Sequence, residues 1–422
     1  MNENIPEFRF NNFTSTPKKY GLSEIVERVK SYSLSRDVET KEYTGYKYIH
    51  YGDIHKKVAN IIDQRSQLPN IKTGDYELLK KGDIVIADAS EDYQGIAIPS
   101  MINVETSYKI VAGLHTIALR PIQADSLFIY YLFNSQTFRK YGYKVGTGMK
   151  VFGISISNVM KFESFFPNTN EQSKIGVFFK QLDETIILQQ QLLNDHKQLK
   201  KAMLQKMFPQ KGETFPKVRF TGYTDDWEQR KFFENIQNTI DCRGKTPKKL
   251  GMNWSNSGYL ALSALNVKNG YIDPSVDAHY GNKELYKKWM GGRELQKGQV
   301  LFTTEAPMGN VAQVPDDKGY ILSQRTIAFD VNSEKMTDVF LAILLRSPTV
   351  FNDLSALSSG GTAKGVSQKS LLGLKVVVPT TVYEQKKIGL FFQQLDDTIA
   401  LHQKKLETYQ ELKKAMLQKM FV

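Results

Sequence analysis

Six histidines, one cysteine and 44 carboxylates are what this 422-residue chain could bring to acid–base, nucleophilic or metal chemistry. The histidines lie dispersed at 50, 55, 115, 196, 279 and 402, and no GxxxxGK phosphate loop, HExxH pair or GxGxxG turn is present. The PDDK at 315–318 has the wrong spacing between acids for a nuclease set, and Gly319 makes it read as a turn. Cations beside glycines remain. CRGKTPKK at 242–249 sets Arg243, Lys245, Thr246, Lys248 and Lys249 around Gly244 and Pro247, a loop that can bring backbone amides and positive charge to phosphates. KVGTGMKVFG carries Lys144, Thr147 and Lys150; SSGGTAKGVS and the residues after it carry Lys364 and Lys369. Lys150 and Lys364 are expected at equivalent places. The chemistry these residues suit is contact with a polyanion, and the sequence assigns no catalytic or metal-binding residue.

A repeat organises the elements that must position them. Residues 171–209 recur at 384–422 with about 25 of 39 positions identical, an offset of half the chain. Fainter matches follow nearly the same offset: IPEFRF and FPKVRF, KGDIVIA and KGQVLFT, HTIAL from His115 and RTIAF from Arg325. The order is A, B, A′, B′. Each B segment predicts a long helix with a heptad seam: Ile175, Phe179, Leu182, Ile186, Leu193 and Met203, and again Ile388, Phe392, Leu395, Ile399, Leu406 and Met416. Gln189, His196, Lys200, His402, Tyr409 and Lys413 are polar members of the same seams. About 35 helical residues span roughly 50 Å. The simplest arrangement buries the two seams on each other, antiparallel; in the alternative, each helix lies on its own domain. The A segments mix runs such as DIVIADA and GLKVVVP with turns and one amphipathic helical stretch each, at 125–141 and 337–354. The expected fold class is α+β: two mixed α/β domains at 1–170 and 210–383, separated by repeated helices at 171–209 and 384–422, with an internal pseudo-twofold.

A net charge of +12 favours polyanionic partners, and it is spread along the chain instead of gathered in one basic arm. One cysteine, Cys242, cannot build a disulfide framework and fits a reducing cytoplasm. The first residues lack a basic and apolar leader, and FLAILL at 340–345 is far short of the ~20 apolar residues of a membrane helix. Neither secretion nor a membrane partner is expected.

Two variable domains alternating with two near-identical helices, each opened by a proline ahead of an EQxxI motif, resemble the specificity (S) subunits of Type I restriction and modification systems. The motif stands as Pro167, Glu171, Gln172 and Ile175, and as Pro379, Glu384, Gln385 and Ile388. Gly244, Thr246 and Pro247 resemble the GxTP loop of target recognition domains. The first half departs from this, with VKSYSLSRD at that place and KKY where the second half has DDWEQR. The resemblance implies a bacterial, cytoplasmic, non-catalytic subunit that binds double-stranded DNA at a bipartite target. It implies two methyltransferase (M) and two restriction (R) subunits as partners, to which S-adenosylmethionine, ATP and Mg²⁺ belong. Antiparallel helices of this length would fix half-sites at most about 15 base pairs apart. The identity of LKKAMLQKMF at 199–208 and 412–421 suggests a docking duty beyond the seam. A coiled-coil scaffold and a single-chain restriction or methylation enzyme are the competing readings.

Overall fold

A computed structural model describes residues 5–57, 60–148, 150–359 and 364–422. The chain divides into two units, residues 1–190 with 404–422 and residues 191–403. The first unit is built on a five-stranded sheet in the order Val26–Val29, Thr116–Pro121, Ile84–Ala87, Pro99–Ile102 and Ile61–Ile62. Its central strands pair antiparallel, with Thr116 opposite Ala87 and Leu119 opposite Ile84. A second sheet runs Lys109–Ala112, Tyr46–Ile49, Asn70–Ile71 and Glu39–Thr40. The second unit repeats the plan with four strands, Ile236–Asp241, Thr326–Val331, Val300–Thr303 and Val311–Gln313, beside a three-stranded sheet of Tyr280–Gly281, Tyr259–Leu262 and Ile321–Leu322. The central strands Ile84–Ala87, IVIA, and Val300–Thr303, VLFT, are buried at every position, which explains why they are apolar but for Thr303.

Each globule closes by pairing its first strand with its last: Lys18–Gly21 with Glu163–Phe166, and Glu228–Lys231 with Lys375–Val378. KKYG and EQRK thus form the same element although their sequences differ, because a ladder is made by backbone groups. The single helical stretches expected at 125–141 and 337–354 are each two helices, Ser126–Asn134 then Gln136–Val145, and Asp338–Leu344 then Pro348–Leu357. The break falls at a buried serine. Ser135 Oγ donates to the Leu132 carbonyl at 2.6 Å and Ser347 Oγ to that of Leu344 at 2.7 Å, and both residues are extended. Such a hydroxyl closes one helix while its backbone opens the next. Among the described residues no single helix is long and apolar enough to cross a membrane.

The two long helices run Thr169–Lys206 and Val382–Lys419. In the first unit, Ile175 and Phe179 enter the core with Phe128, Tyr131 and Phe166, and the chain's last turn adds Met420 and Phe421. Phe421 lies 5.2 Å from Phe128 and 5.8 Å from Phe179, ring centre to ring centre. In the second unit Ile388, Phe392 and Leu395 join Trp227 and Phe340, and Met207 and Phe208 fill the corresponding place. Phe208 sits 5.9 Å from Phe340 and 6.2 Å from Phe392. Full burial of each such ring is worth about 1.5–3 kcal/mol. Both sequence expectations therefore hold in part: the first turns of each seam lie on a globule, and farther along the helical segments meet each other. Within each unit that meeting is antiparallel. Asp183 accepts from Tyr131 Oη at 2.9 Å and from Lys413; Asp396 accepts from both Arg346 Nη atoms at 3.0 Å and from Lys200. Burial and the neighbouring Arg346 push the Lys200 ammonium below the usual lysine range. His196 and His402 stack at 5.2 Å in the second unit. Leu182, Leu193 and Leu406 are buried, while Ile186, Met203, Ile399 and Met416 are half-buried.

The EQ dipeptide locks each helix to its globule. Buried Glu171 takes a two-pronged contact from Arg9, at 2.8 and 2.5 Å, and buried Glu384 takes one from Arg219, at 2.7 and 2.9 Å, with Trp227 Nε1 at 3.4 Å. Gln172 donates to the Pro167 carbonyl and accepts from the Asp125 amide; Gln385 donates to the Pro379 and Lys335 carbonyls and accepts from the Thr337 amide. Gly176 and Gly389 let the Ser126–Asn134 and Asp338–Leu344 helices approach closely, since a Cβ would stand 2.6 Å from Leu127 Cβ in one case and from Val339 Cγ2 in the other.

Candidate nucleic-acid interface

The same three segments converge on the surface of each globule. One is the turn after the strand Ile84–Ala87 or Val300–Thr303. The second is the residue just before the strand Thr116–Pro121 or Thr326–Val331. The third is a glycine hairpin. In the first unit the Asp88 amide donates to the His115 carbonyl at 3.1 Å, and the Ile154 amide donates to the Asp88 carbonyl at 2.9 Å. In the second, the Thr304 amide donates to the Arg325 carbonyl at 2.8 Å, and the Val366 amide to the Thr304 carbonyl at 2.9 Å. The hairpins close by paired backbone bonds, Thr147 with Gly153 at 3.0 and 2.8 Å, and Ser359 with Gly365 at 3.0 and 2.9 Å.

This register corrects one expectation. Thr147 answers Ser359 and Gly153 answers Gly365, so Lys150 stands three residues into its hairpin while Lys364 stands five residues into the other. The position matching Lys364 is Phe152; the position matching Lys150 lies outside the described residues. Lys144, Lys150, Lys364 and Lys369 are all exposed, with Lys144 in the last turn of Gln136–Val145 and Lys369 in the short helix Gln368–Leu371.

The 242–249 loop is less free than its composition suggests. Arg243 is ion-paired with Asp241 at 2.7 Å, Lys245 Nζ donates to the Trp289 carbonyl, and Lys249 Nζ donates to the Gly244 carbonyl at 2.8 Å. Three of the four cations thus hold the loop, which turns through Gly244 at φ 82°. Lys248 is exposed, and its ammonium makes no hydrogen bond or ion pair among the described residues. The Thr246 hydroxyl accepts from the Lys249 amide at 3.2 Å. Gln324 Nε2 donates to the Lys245 carbonyl at 2.9 Å, and Gln368 Nε2 to Asp241 at 2.9 Å, tying the loop to the Arg325 corner and to the segment that carries Lys369.

Lys245, Thr246 and Pro247 line a cavity of about 440 Å³ with Trp254, Ser263, Asp277, His279, Ser323, Gln324 and Arg325. Trp254 stacks on His279 at 5.5 Å, and His279 Nε2 lies 3.2 Å from Asp277 Oδ1. An aromatic wall beside amide, hydroxyl and guanidinium groups matches the demands of base edges. Composition and spacing missed Trp254, His279, Gln324, Arg325 and His115. The signal for the last two was present in HTIAL against RTIAF, a repeat whose first residue changes type. In the first unit the loop with VKSYSLSRD differs in chemistry: Arg36 pairs with Asp53 at 2.7 Å and with Glu39 at 2.5 Å. Tyr51 packs edge-on against His115 at 5.3 Å. Among the described residues no group of three or more His, Cys, Asp or Glu side chains could hold a metal ion.

The sequence profile of the Type I restriction modification DNA specificity domain matches this chain twice, over residues 15–198 and 225–411. The MjaVIII Type I restriction enzyme specificity subunit of Methanocaldococcus jannaschii is 25% identical over 336 residues, covering 77% of this chain and 73% of its own. The crystal structure of a Type I restriction–modification S subunit from M. genitalium superposes with a TM-score of 0.60 over 99% of both chains at 14% identity, a likeness of fold.

Proposed function

Because the chain belongs to the Type I restriction modification DNA specificity family, we propose that it reads a bipartite double-stranded DNA target, one half-site per globule, and directs methyltransferase and restriction subunits to it. The observation that carries this reading is duplication with divergence. The family match falls twice, on two globules whose shared strands follow the same order and whose converging surface segments have the same backbone geometry and different side chains. A scaffold would have no use for that difference.

In this reading the chain is non-catalytic and works in the cytoplasm of a bacterium. S-adenosylmethionine, ATP and Mg²⁺ act on two M and two R subunits. The exposed cations Lys144, Lys150, Lys248, Lys364 and Lys369 contact phosphates, and Arg243, Lys245 and Lys249 shape the loop that carries Thr246 to the DNA. Mapping methylated bases in the genome of cells with and without this gene tests the proposal. The expected result is one split motif with a gap of constant length that vanishes with the gene; methylation unchanged by its loss refutes it.

Docking of M subunits is supported by apolar residues left in water on both helices. Val177, Leu188 and Leu412 are exposed in the first unit, and their repeats Leu390, Leu401 and Leu199 in the second. Exposed aliphatic residues recurring at matched positions mark an interaction face. Lys201 and Lys414 are exposed on the same helices. Replacing both with glutamate should weaken M binding at least tenfold in a pull-down titration. Unchanged binding removes these lysines from the interface.

A further inference from the structure

We propose that His115 and Arg325 are the corresponding base-reading residues of the two domains, and that the half-site read by the second domain holds a guanine opposite Arg325. The proposal rests on the DNA-specificity reading above and names side chains within it. Six non-glycine residues have left-handed backbone among the described residues: Lys57, Ala97, His115, Asp277, Ala306 and Arg325. Of these, His115 at φ 55° and Arg325 at φ 64° occupy the same place in the repeat, immediately before Thr116 and Thr326 of the central strands. Glycine takes such a conformation without strain, and a bulky side chain resists it. Neither side chain belongs to a hydrophobic core: His115 and Arg325 are 50% and 54% exposed, His115 with the Tyr51 ring edge-on against it. Strain retained for an outward-facing polar group in both halves is what a contact residue leaves behind.

Each corner residue is also aimed. His115 Nδ1 lies 3.2 Å from Asp88 Oδ1, and Arg325 Nε lies 3.5 Å from Glu305 Oε2. Asp88 and Glu305 both sit in the turn beside the corner, and Asp88 and Thr304 bond the corner's backbone in the same way. The acid stands beside one nitrogen and leaves the outer edge of the ring or fork for a ligand: neither Arg325 Nη has a hydrogen bond among the described residues. A guanidinium offering two Nη donors pairs with O6 and N7 of guanine in the major groove. An imidazole at the matching position offers one donor or acceptor. Same backbone and different edge is the arrangement that two unlike half-sites require. Arg325 further stands on the rim of the 440 Å³ cavity beside Ser323, Gln324, Lys245 and Thr246, so the residue that reads and the loop that contacts phosphate share one surface.

The test uses the complete chain expressed with its M partners in a host lacking other methylation of this type, followed by sequencing of methylated bases. Variants are Arg325→Gln, Arg325→Gly and His115→Gln. Arg325→Gly relieves the backbone, so its melting temperature should equal or exceed that of the natural chain. Discrimination at one G·C pair of one half-site should fall ten- to hundredfold in both Arg325 variants, with the other half-site and the gap unaltered; His115→Gln should relax one position in the opposite half. An unchanged motif in all three variants, or relaxation spread over both halves, overturns the proposal. If the natural chain gives no sequence-specific methylation, the specificity reading itself fails, a result distinct from either.

Discussion

Glu171 and Glu384 are charged groups almost wholly out of water, and each persists because an arginine grips both its oxygens. Removing one partner of such a pair leaves a buried charge uncompensated, at a cost of about 3–5 kcal/mol. Arg219→Ala should therefore lower the melting temperature by well over 5 °C, while Lys248→Ala, on the surface, should leave it unchanged; thermal unfolding of the two variants checks this. The motif that marked the family in the sequence is thus a structural latch between helix and globule. Asp338 behaves differently. Burial, with the nearby Asp330 charge added, raises its carboxyl to about 6. An unfolded aspartate titrates near 3.9, so the fold favours the neutral acid. The penalty is absent below about pH 4, grows as pH rises to about 6, and stays constant above. Asp338→Asn should raise the melting temperature above pH 6, with the gain shrinking to nothing by pH 4.

At the scale of elements, the glycines of the long helices show contact overruling propensity. Alanine at an open helical position is favoured over glycine by about 1 kcal/mol. At Gly389 an added Cβ would stand 2.6 Å from Val339 Cγ2 and 2.8 Å from the Val339 carbonyl carbon. The backbone there cannot yield as a flexible side chain would, and overpacking of this kind costs about 1–3 kcal/mol. Gly389→Ala should therefore destabilise the chain in a denaturant titration, against the sign that propensity predicts. The helix ends carry a related lesson. The repeated MF of LKKAMLQKMF is held in place by burial, Met207 and Phe208 in one core and Met420 and Phe421 in the other. Lys200 and Lys413 are held by their aspartates. Only the exposed members, Lys201 and Lys414 among them, need an explanation outside the chain.

For the whole molecule, each long helix is shared, its first half belonging to one unit and its second half to the other. In the proposed reading the helices serve as the ruler for the gap in a split target. Deleting one heptad from each helix removes about 10 Å of rise and should shorten the gap by about three base pairs while both half-sites stay the same; the methylation map of the deletion strain reads this directly. The sequence by itself determined the repeat and the two long helices. Each of these is written in periodicity or identity along the chain. It did not determine where the helical stretches at 125–141 and 337–354 break, because that depends on a serine hydroxyl meeting a carbonyl three residues back. Nor did it determine the hairpin register that separates Lys150 from Lys364, because backbone ladders leave no side-chain pattern. Arg243, Lys245 and Lys249 of the 242–249 loop read as free charges in the sequence, whereas the fold pairs them with a carboxylate and two carbonyls. The repeat of HTIAL and RTIAF already matched His115 with Arg325, but their left-handed φ angles and the facing acids came only with the fold. Those are properties of the folded backbone, and a linear order of residues does not contain them.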